Sequence, residues 1–414
     1  MERKLAIGQT RRSHTKSRNG CLPCKARKIK CGEEKECCHN CIVKGIGCKY
    51  RGAERPKLEI RFVRAPARLL PLPVLPTRQP ETLTLTDLRL FHHFLTAAYP
   101  HLPAGNDSVW LLEIPKIAEH NEYLMHALLG LGASHLYRLD GQARYNSTAI
   151  AHRGHAITGL NKAIAKDDYS QVDVDAMLAT VYALTFQSVY MEDGLVDFMT
   201  MVRGCLLITK HIESTNIASS FNLEPHAHIR CLEPGISELP GIDKHVLRTG
   251  VDALGRLTPI LKTGADLDFF FAIKQTLQAS LISTKAGFIQ FSNVYDLWYS
   301  TQTFHELTDP HNLAAQAMLA FFTTIQLLMS PVTAPMYKPP RRCMDTRDQS
   351  LFVSLTWTRR IVNDIPPKMK RYVAWPEAVI NQIESLFSGH SRETGLLIDL
   401  TLPADDAQST DTSI

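Results

Sequence analysis

The pattern of apolar and polar positions changes character near Thr86. Beyond it, apolar residues return every three or four positions, the period of a helix that buries one face. In TDLRLFHHFLTAAY, Thr86 and Asp87 offer a cap, and Leu88, Phe91 and Leu95 a stripe. His92 and His93 fall on the surface or cap of that helix, with no acidic or second-histidine partner one turn away. Residues 122–139 (EYLMHALLGLGASHLYRL) are apolar and Ala-rich, as a centrally packed helix is. Ile150, Ile157 and Ile164 recur every seven residues and predict one apolar stripe on the next segment. Further helices are expected over 175–191, 196–210, 243–257, 266–282, 293–304, 350–365 and 376–387. Residues 311–329 (HNLAAQAMLAFFTTIQLLM) read as a buried helix stopped by Pro331. Residues 211–242 read as one long irregular stretch. His226, His228 and Cys231 within it lack a fourth ligand and a regular framework, so a polar loop is expected there. Strand signals are sparse and no βαβ alternation is present, which predicts an all-α body.

Before Thr86 the pattern is different. Residues 1–20 are polar and basic, residues 21–48 are cysteine-rich, and prolines stand at 56, 66, 71, 73, 76 and 80. The expected organisation is a disordered basic arm (1–20), a cysteine module (21–48), a Pro-rich linker (49–84), an all-helical domain (85–390) and a disordered acidic tail (391–414). The prolines exclude a heptad coiled coil in the linker, so any homodimer must form through the helical domain. Charge sharpens this division. Residues 1–58 carry 16 Lys and Arg against 5 Glu, whereas the remainder carries 30 basic against 36 acidic side chains. A basic head on a mildly acidic body confines a nucleic-acid contact to one end.

The candidate chemistry lies in CLPCKARKIKCGEEKECCHNCIVKGIGC, residues 21–48. It is a C-x2-C-x6-C pattern, Cys21, Cys24 and Cys31, repeated 17 residues later as Cys38, Cys41 and Cys48. The repeat predicts a small pseudo-symmetric knot with a turn between its halves. Structural zinc takes four sulfurs in a tetrahedron, so six thiolates fall short of two separate sites and exceed one. They suffice for two ions if two sulfurs each serve both. A disulfide framework is disfavoured, since no secretory signal precedes the run and its flanks are basic. A mere metal store would not need the basic segment. Cys37 does not keep the two-residue spacing to Cys41 and is expected to be a spare thiol, with His39 a solvated bystander. The other cysteines, Cys205, Cys231 and Cys343, are scattered, as reduced thiols are.

Between Cys24 and Cys31 the segment KARKIK carries Lys25, Arg27, Lys28 and Lys30, and no Gly or Pro that would stop a helical turn. The matching segment IVKGIG has only Lys44 and two glycines. The halves thus share cysteine spacing but not charge, and the first is the candidate DNA face. In the arm, Arg11, Arg12, Lys16 and Arg18 would add phosphate contacts and salt dependence.

The cysteine pattern resembles the fungal six-cysteine binuclear zinc cluster of transcription factors. The resemblance implies two zinc ions per cluster, with the first and fourth cysteines, Cys21 and Cys38, bridging. It implies a short helix in the major groove of double-stranded DNA, reading a CGG-like triplet. Arg27 and Lys28 align with the family's base-contacting positions, and Lys25 and Lys30 then fall on phosphates. The sequence departs from the family at Glu36, where a proline usually makes the turn, which predicts a looser turn. From about residue 85 to 385, the order LFHHF, HALLGLGASHL, HAITGLN, DPHNLAAQAMLAFFTTIQLLM, YVAWPEAV looks like the all-helical regulatory domain of regulators similar to sterol uptake control proteins. That domain can hold a sterol or another lipophilic small-molecule ligand and mediate dimerisation and activation. Relatives usually continue past the Trp-Pro element with a further apolar, aromatic-rich helix, where this sequence has SLFSGHSRETGLLIDLTLPADD.

No catalytic constellation is found. GLGASH lies within a helical pattern and not on a strand-to-helix turn. A Walker sequence and HExxH are absent, and zinc saturated by sulfur has no open position for chemistry. The N-terminus lacks the apolar core of a signal peptide, and the run from Ala314 to Met329 is too short to span a bilayer. The expectation is a nuclear, sequence-specific DNA-binding transcription regulator, more an activator than a repressor on family grounds. The basic clusters RRSHTKSR and KARKIK would suit nuclear import, although DNA contact alone also accounts for their charge, and its genes are expected to be sterol-related or secondary-metabolite genes. Two other classes stand beside it. A small-molecule receptor with DNA binding as output would show a closed apolar pocket within 85–385. A zinc-stabilised protein-interaction module would tolerate charge reversal at Arg27 and Lys28.

Overall fold

Every regular element among the described residues is helical, as the three- and four-residue spacing predicts. The computed structural model describes residues 20–34, 37–50, 83–100, 105–166, 168–224, 241–333 and 346–389, with Arg230 and Ile236. Most of the basic arm, most of the linker, the tail, Glu36, His226, His228, Cys231 and Cys343 lie outside the described residues. The chain divides into two units, residues 1–57 and 58–414. The first is the small cysteine module and the second an all-helical domain.

The small unit holds α1 (Leu22–Ala26) and α2 (His39–Ile42). The large unit opens with α3 (Leu85–His93) and α4 (Ile114–Ala118). Four long helices follow: α5 (Glu122–Asp140), α6 (Ala143–Ile164), α7 (Gln171–Val189) and α8 (Leu195–Thr215). Then come α9 (Lys244–Gly255), α10 (Gly264–Ile282), α11 (Thr284–Val294) and α12 (Thr301–Thr308). The last four are α13 (Leu313–Leu328), α14 (Ser330–Thr333), α15 (Thr346–Asp364) and α16 (Ala374–Gly389). Three N-termini are fixed by reciprocal capping boxes, at Thr84 with Asp87, Ser170 with Asp173 and Thr263 with Asp266.

Among the described residues, the large unit packs a smaller apolar core around Leu90, Leu129 and Tyr145 and two large ones. One gathers Phe94, Trp110, Leu124, Leu128, Met177 and Leu184 among α3 to α8. The other gathers Phe269, Trp298, Phe321, Phe322, Trp357 and Trp375 among α10 to α16, and takes Phe198 and Met199 from α8. Burial of each such large side chain contributes roughly 1.5–3 kcal/mol. The indole N–H groups pin the second core: Trp357 Nε1 donates to Met191 O at 3.3 Å and Trp375 Nε1 to Val246 O at 3.0 Å. Trp375 also stacks on Phe321 with ring centres 5.1 Å apart. A buried cation ties four helices together. Arg153 on α6 reaches Leu184 O, Gln187 and Ser188 on α7 and Asp197 on α8, while Gln187 donates to Ser134 on α5.

Several expectations change. The cap of α3 is Thr84, two residues before the expected Thr86, and the buried stripe is Leu90 on α3 with Phe94 and Ala98 on the π-helical turn that continues it; Leu88 is exposed. Both stripes have helical spacing, and what decides between them is the partner. Gly132 on α5 brings the α3 backbone so close that a Cβ there would sit 2.6 Å from Leu90 O. Ile150 is also exposed, while Ile157 and Ile164 are buried. A strict seven-residue repeat drifts around a straight helix, and α6 buries Tyr145, Ala149, Arg153, Ala156 and Leu160 along with Ile157 and Ile164. Helix α8 runs through to Thr215, so the stretch from 211 begins as helix. Pro331 lies inside α14, after the turn that ends α13 at Met329. His93 is half-buried at the end of α3: its Nε2 lies 2.8 Å from His135 Nδ1, with the rings stacked at 5.0 Å. His92 is exposed as expected.

Candidate metal centre and nucleic-acid face

Each half of the cysteine module is one helical turn that begins on a cysteine. Cys21 is the N-cap of α1, with proline in the first turn, and Cys38 is the N-cap of α2. The 17-residue repeat is reproduced in several backbone bonds. Lys25 N donates to Cys21 O and Ile42 N to Cys38 O, at 3.0 and 3.1 Å. Ile29 N donates to Cys24 O and Ile46 N to Cys41 O, both at 3.1 Å. Cys21 N points at Cys31 Sγ at 3.4 Å, and Cys38 N at Cys48 Sγ at 3.3 Å. Each turn ends on a left-handed residue at equivalent positions, Lys28 with φ 54° and Gly45 with φ 60°. Glycine adopts that conformation freely, whereas lysine does so at a cost of about 1–2 kcal/mol.

Folding the two halves together gathers the six sulfurs. Cys21, Cys24, Cys31 and Cys38 form one group of four whose Sγ atoms lie within 4.8 Å of one another, and Cys21, Cys38, Cys41 and Cys48 form a second. Cys21 and Cys38 are common to both, with their Sγ atoms 3.7 Å apart. Five of the six are buried, and Cys48 is half-buried. Cys37 and His39 belong to neither group. A donor set of two overlapping sulfur tetrads fits thiophilic, tetrahedral ions that share two ligands. The sulfurs differ in how readily they ionise. Burial raises Cys38 to about 12 and also raises Cys21. Against the pull of burial, backbone N–H groups of Cys21 and Glu33 bring Cys31 down to about 6. The N–H of Cys38 lowers Cys48 in the same way.

The halves are tied by groups other than sulfur. Leu22 N donates to Lys49 O, Asn40 Nδ2 to Lys30 O at 2.9 Å, and Tyr50 Oη to Glu34 O at 2.8 Å. On the first half, Lys25, Lys28 and Lys30 are exposed. Arg27 is half-buried and turns its guanidinium toward the sulfurs and Asn40. Glu34 lies toward α2, its Oε2 accepting from His39 N at 3.3 Å. Lys16 and Arg18 lie outside the described residues, as do Arg11 and Arg12.

Residues 89–229 match the fungal-specific transcription factor domain. A Zn(2)-C6 fungal-type transcription factor of Aspergillus fumigatus, afumD, is 26% identical over 216 residues, 48% of this chain and 55% of that one. The resemblance to fungal zinc-cluster transcription factors holds. Sterol uptake control protein 2 of Saccharomyces cerevisiae is 34% identical over 116 residues, 27% of this chain and 12% of that protein. A Zn(2)-C6 fungal-type transcription factor of Gibberella zeae is 27% identical over 201 residues, 35% of this chain and 40% of that one. The chain therefore spans about half the length of the Aspergillus relative and less of the other two. No solved structure matches.

In the large unit, GLGASH lies within α5 and serves packing. Gly132 admits α3, Ser134 accepts from Gln187, and His135 meets His93. A groove of about 280 Å³ between α10 and α11 is open and lined by Asp268, Phe271, Gln275, Gln290 and Asn293 among others. A carboxylate and three amides make it unlike the closed apolar pocket that a lipophilic ligand calls for. No helix among the described residues is long and apolar enough to cross a membrane. A second histidine set escaped sequence reasoning. His126 Nδ1 lies 2.9 Å from His152 Nδ1, and His152 Nε2 lies 3.2 Å from the Asp87 carboxylate of the α3 cap. His126 also stacks on His155. These partners lie on separate helices, and the only signal in the sequence is the density of histidines in α5 and α6.

Proposed function

We propose that this protein is a sequence-specific DNA-binding transcription regulator whose residues 21–48 fold around two zinc ions. The observation that carries the reading is the pair of sulfur tetrads sharing Cys21 and Cys38, beside three exposed lysines on one half only. In this reading Cys24 and Cys31 complete one site, Cys41 and Cys48 the other, and Cys21 and Cys38 bridge. Zinc saturated by sulfur supplies folding free energy and no catalysis. Residues 1–20 are then a basic arm, 49–84 a linker and 85–390 a regulatory domain that mediates any homodimer.

Lys28 follows the C-cap of α1 in a left-handed conformation and leaves the turn where the second half has only Gly45. That asymmetry supports Lys28 as the side chain that reads guanine O6 and N7 of a CGG-like triplet in the major groove. Lys25 and Lys30, with Lys16 and Arg18 in the arm, then hold phosphates and fix register. Activation and nuclear location follow from the same reading. The name of the yeast relative favours sterol-related genes as targets, and secondary-metabolite genes are the second choice.

The test is selection from a randomised duplex library by the zinc-loaded full chain at fixed, moderate salt. The parent is expected to recover a CGG-type triplet. Lys28→Ala is expected to lose about 1–3 kcal/mol of discrimination at one base, while Lys25→Ala weakens all sequences alike and flattens the salt dependence. Recovery of the same triplet by Lys28→Ala would contradict base readout by Lys28. Binding without any sequence preference would contradict the regulator reading of the module.

A further inference from the structure

Arg27 stands in the basic segment but does not face outward with it. Its Nε donates to Pro23 O at 3.3 Å, and its Nη2 to Asn40 O at 3.2 Å. The same Nη2 lies 3.7 Å from Cys24 Sγ and 3.7 Å from Cys41 Sγ. Cys24 belongs to one sulfur tetrad only and Cys41 to the other only. One guanidinium thus touches an unshared sulfur of each tetrad and the backbone of both halves. Asn40 completes the bridge in the opposite sense by donating its side-chain amide to Lys30 O. The repeat gives a control within the same molecule. The residue 17 positions on from Arg27 is Lys44, which is exposed.

Charge gives this geometry a purpose. Six thiolates outweigh two divalent ions, so the loaded cluster carries a net negative charge in a largely buried place. A cation donating hydrogen bonds to two of its sulfurs offsets that charge and lowers the basicity of the thiolates. Guanidinium suits the task because its donors sit on a rigid planar fork, whereas lysine offers one point charge on a flexible stem. To reach a guanine, Arg27 would have to break bonds to Pro23 and Asn40 and leave the sulfurs.

We propose that Arg27 is a positioning residue of the metal cluster, clamping its two halves and shielding its sulfurs, and leaves base reading to Lys28. This rests on the two-zinc reading above, and the experiment separates the two. Full-length parent, Arg27→Ala, Arg27→Lys and Lys28→Ala are loaded with zinc, and the rate of zinc transfer to a coloured chelator is measured. The same four proteins are then put through the duplex selection. Arg27→Ala and Arg27→Lys are expected to release zinc about 10–100-fold faster than the parent, taking the typical affinity loss on removing hydrogen-bond partners of metal ligands to fall on the release rate. The fraction of Arg27→Lys that keeps its metal is expected to recover the parental triplet. Lys28→Ala is expected to release zinc at the parental rate. Arg27→Lys with parental zinc release would overturn the proposal, and so would loss of triplet preference in an Arg27 variant that holds its zinc like the parent. A parent that takes up no zinc would instead sink the underlying two-zinc reading, and this proposal with it.

Discussion

At the level of single residues, the most informative contrast is between Arg27 and Lys28, neighbours of the same charge with opposite surroundings. The left-handed backbone at Lys28 sends its side chain outward, while α1 holds Arg27 over the sulfurs. The His93–His135 pair carries a prediction of its own. Burial, followed by the nearby cations Arg89 and His92, pulls His93 down to about 4, with Asp140 opposing weakly. Burial and His93 pull His135 down to about 4 as well, with the Tyr190 ring beside it. Unfolded, both imidazoles take protons near pH ~6.5. Between those values the unfolded chain binds more protons, so stability is full above the upper value and falls as pH drops through the window. Its loss is complete below the lower value. Asp87 and Asp173 have lowered pKa values, so their contributions are lost only in more acidic solution. The thermal midpoint of the full chain is therefore expected to drop between about pH 6.5 and 4, with on the order of a few kcal/mol at stake. His135→Gln should flatten that drop. An equally steep profile in the variant would assign the titration elsewhere. Much of this scale was hidden in the sequence. Cysteine spacing reveals which sulfurs gather, because shared ligands fix their order along the chain. Nothing in a run of basic residues tells which one turns inward, and the two histidines meet across 42 positions.

At the level of elements, the helices themselves were legible and their buried faces less so. Long, strongly periodic segments such as α5, α7 and α13 carry their assignment in their spacing. Helix α11 (TKAGFIQFSNV) was missed, because Gly287 and the polar residues at 290, 292 and 293 interrupt an apolar pattern only a few turns long. In α3 two competing stripes were apolar, and the choice depended on a glycine 42 residues past Leu90. Gly132→Ala is the matching test. Its Cβ would meet Leu90 O at 2.6 Å, so α3 must shift or tilt. The expected loss is about 1–3 kcal/mol, measured by denaturant unfolding, whereas alanine at an open helical glycine should stabilise slightly. Gly154, with nothing near its Cβ position, is the control. Equal effects at Gly132 and Gly154 would remove the close approach of α3 and α5 from the packing scheme.

At the level of the whole molecule, the chain joins a small module that cannot bury an apolar core to a helical domain with extensive ones. The module's described interior is almost entirely sulfur, with Tyr50 packed against it. Such a module needs bound metal for its fold, while the helical domain does not. The charge asymmetry and the cysteine repeat made this division readable, because a metal module declares itself through ligands and not through periodicity. The most direct test is native mass spectrometry of the zinc-loaded full chain, with Cys37→Ser and Cys38→Ser alongside. Two zinc ions are expected in the parent and in Cys37→Ser. Cys38→Ser, deprived of a sulfur common to both tetrads, is expected to retain fewer than two. A parent holding a single ion, or Cys37→Ser losing metal while Cys38→Ser keeps two, would contradict the shared-sulfur cluster and the DNA-reading module built on it.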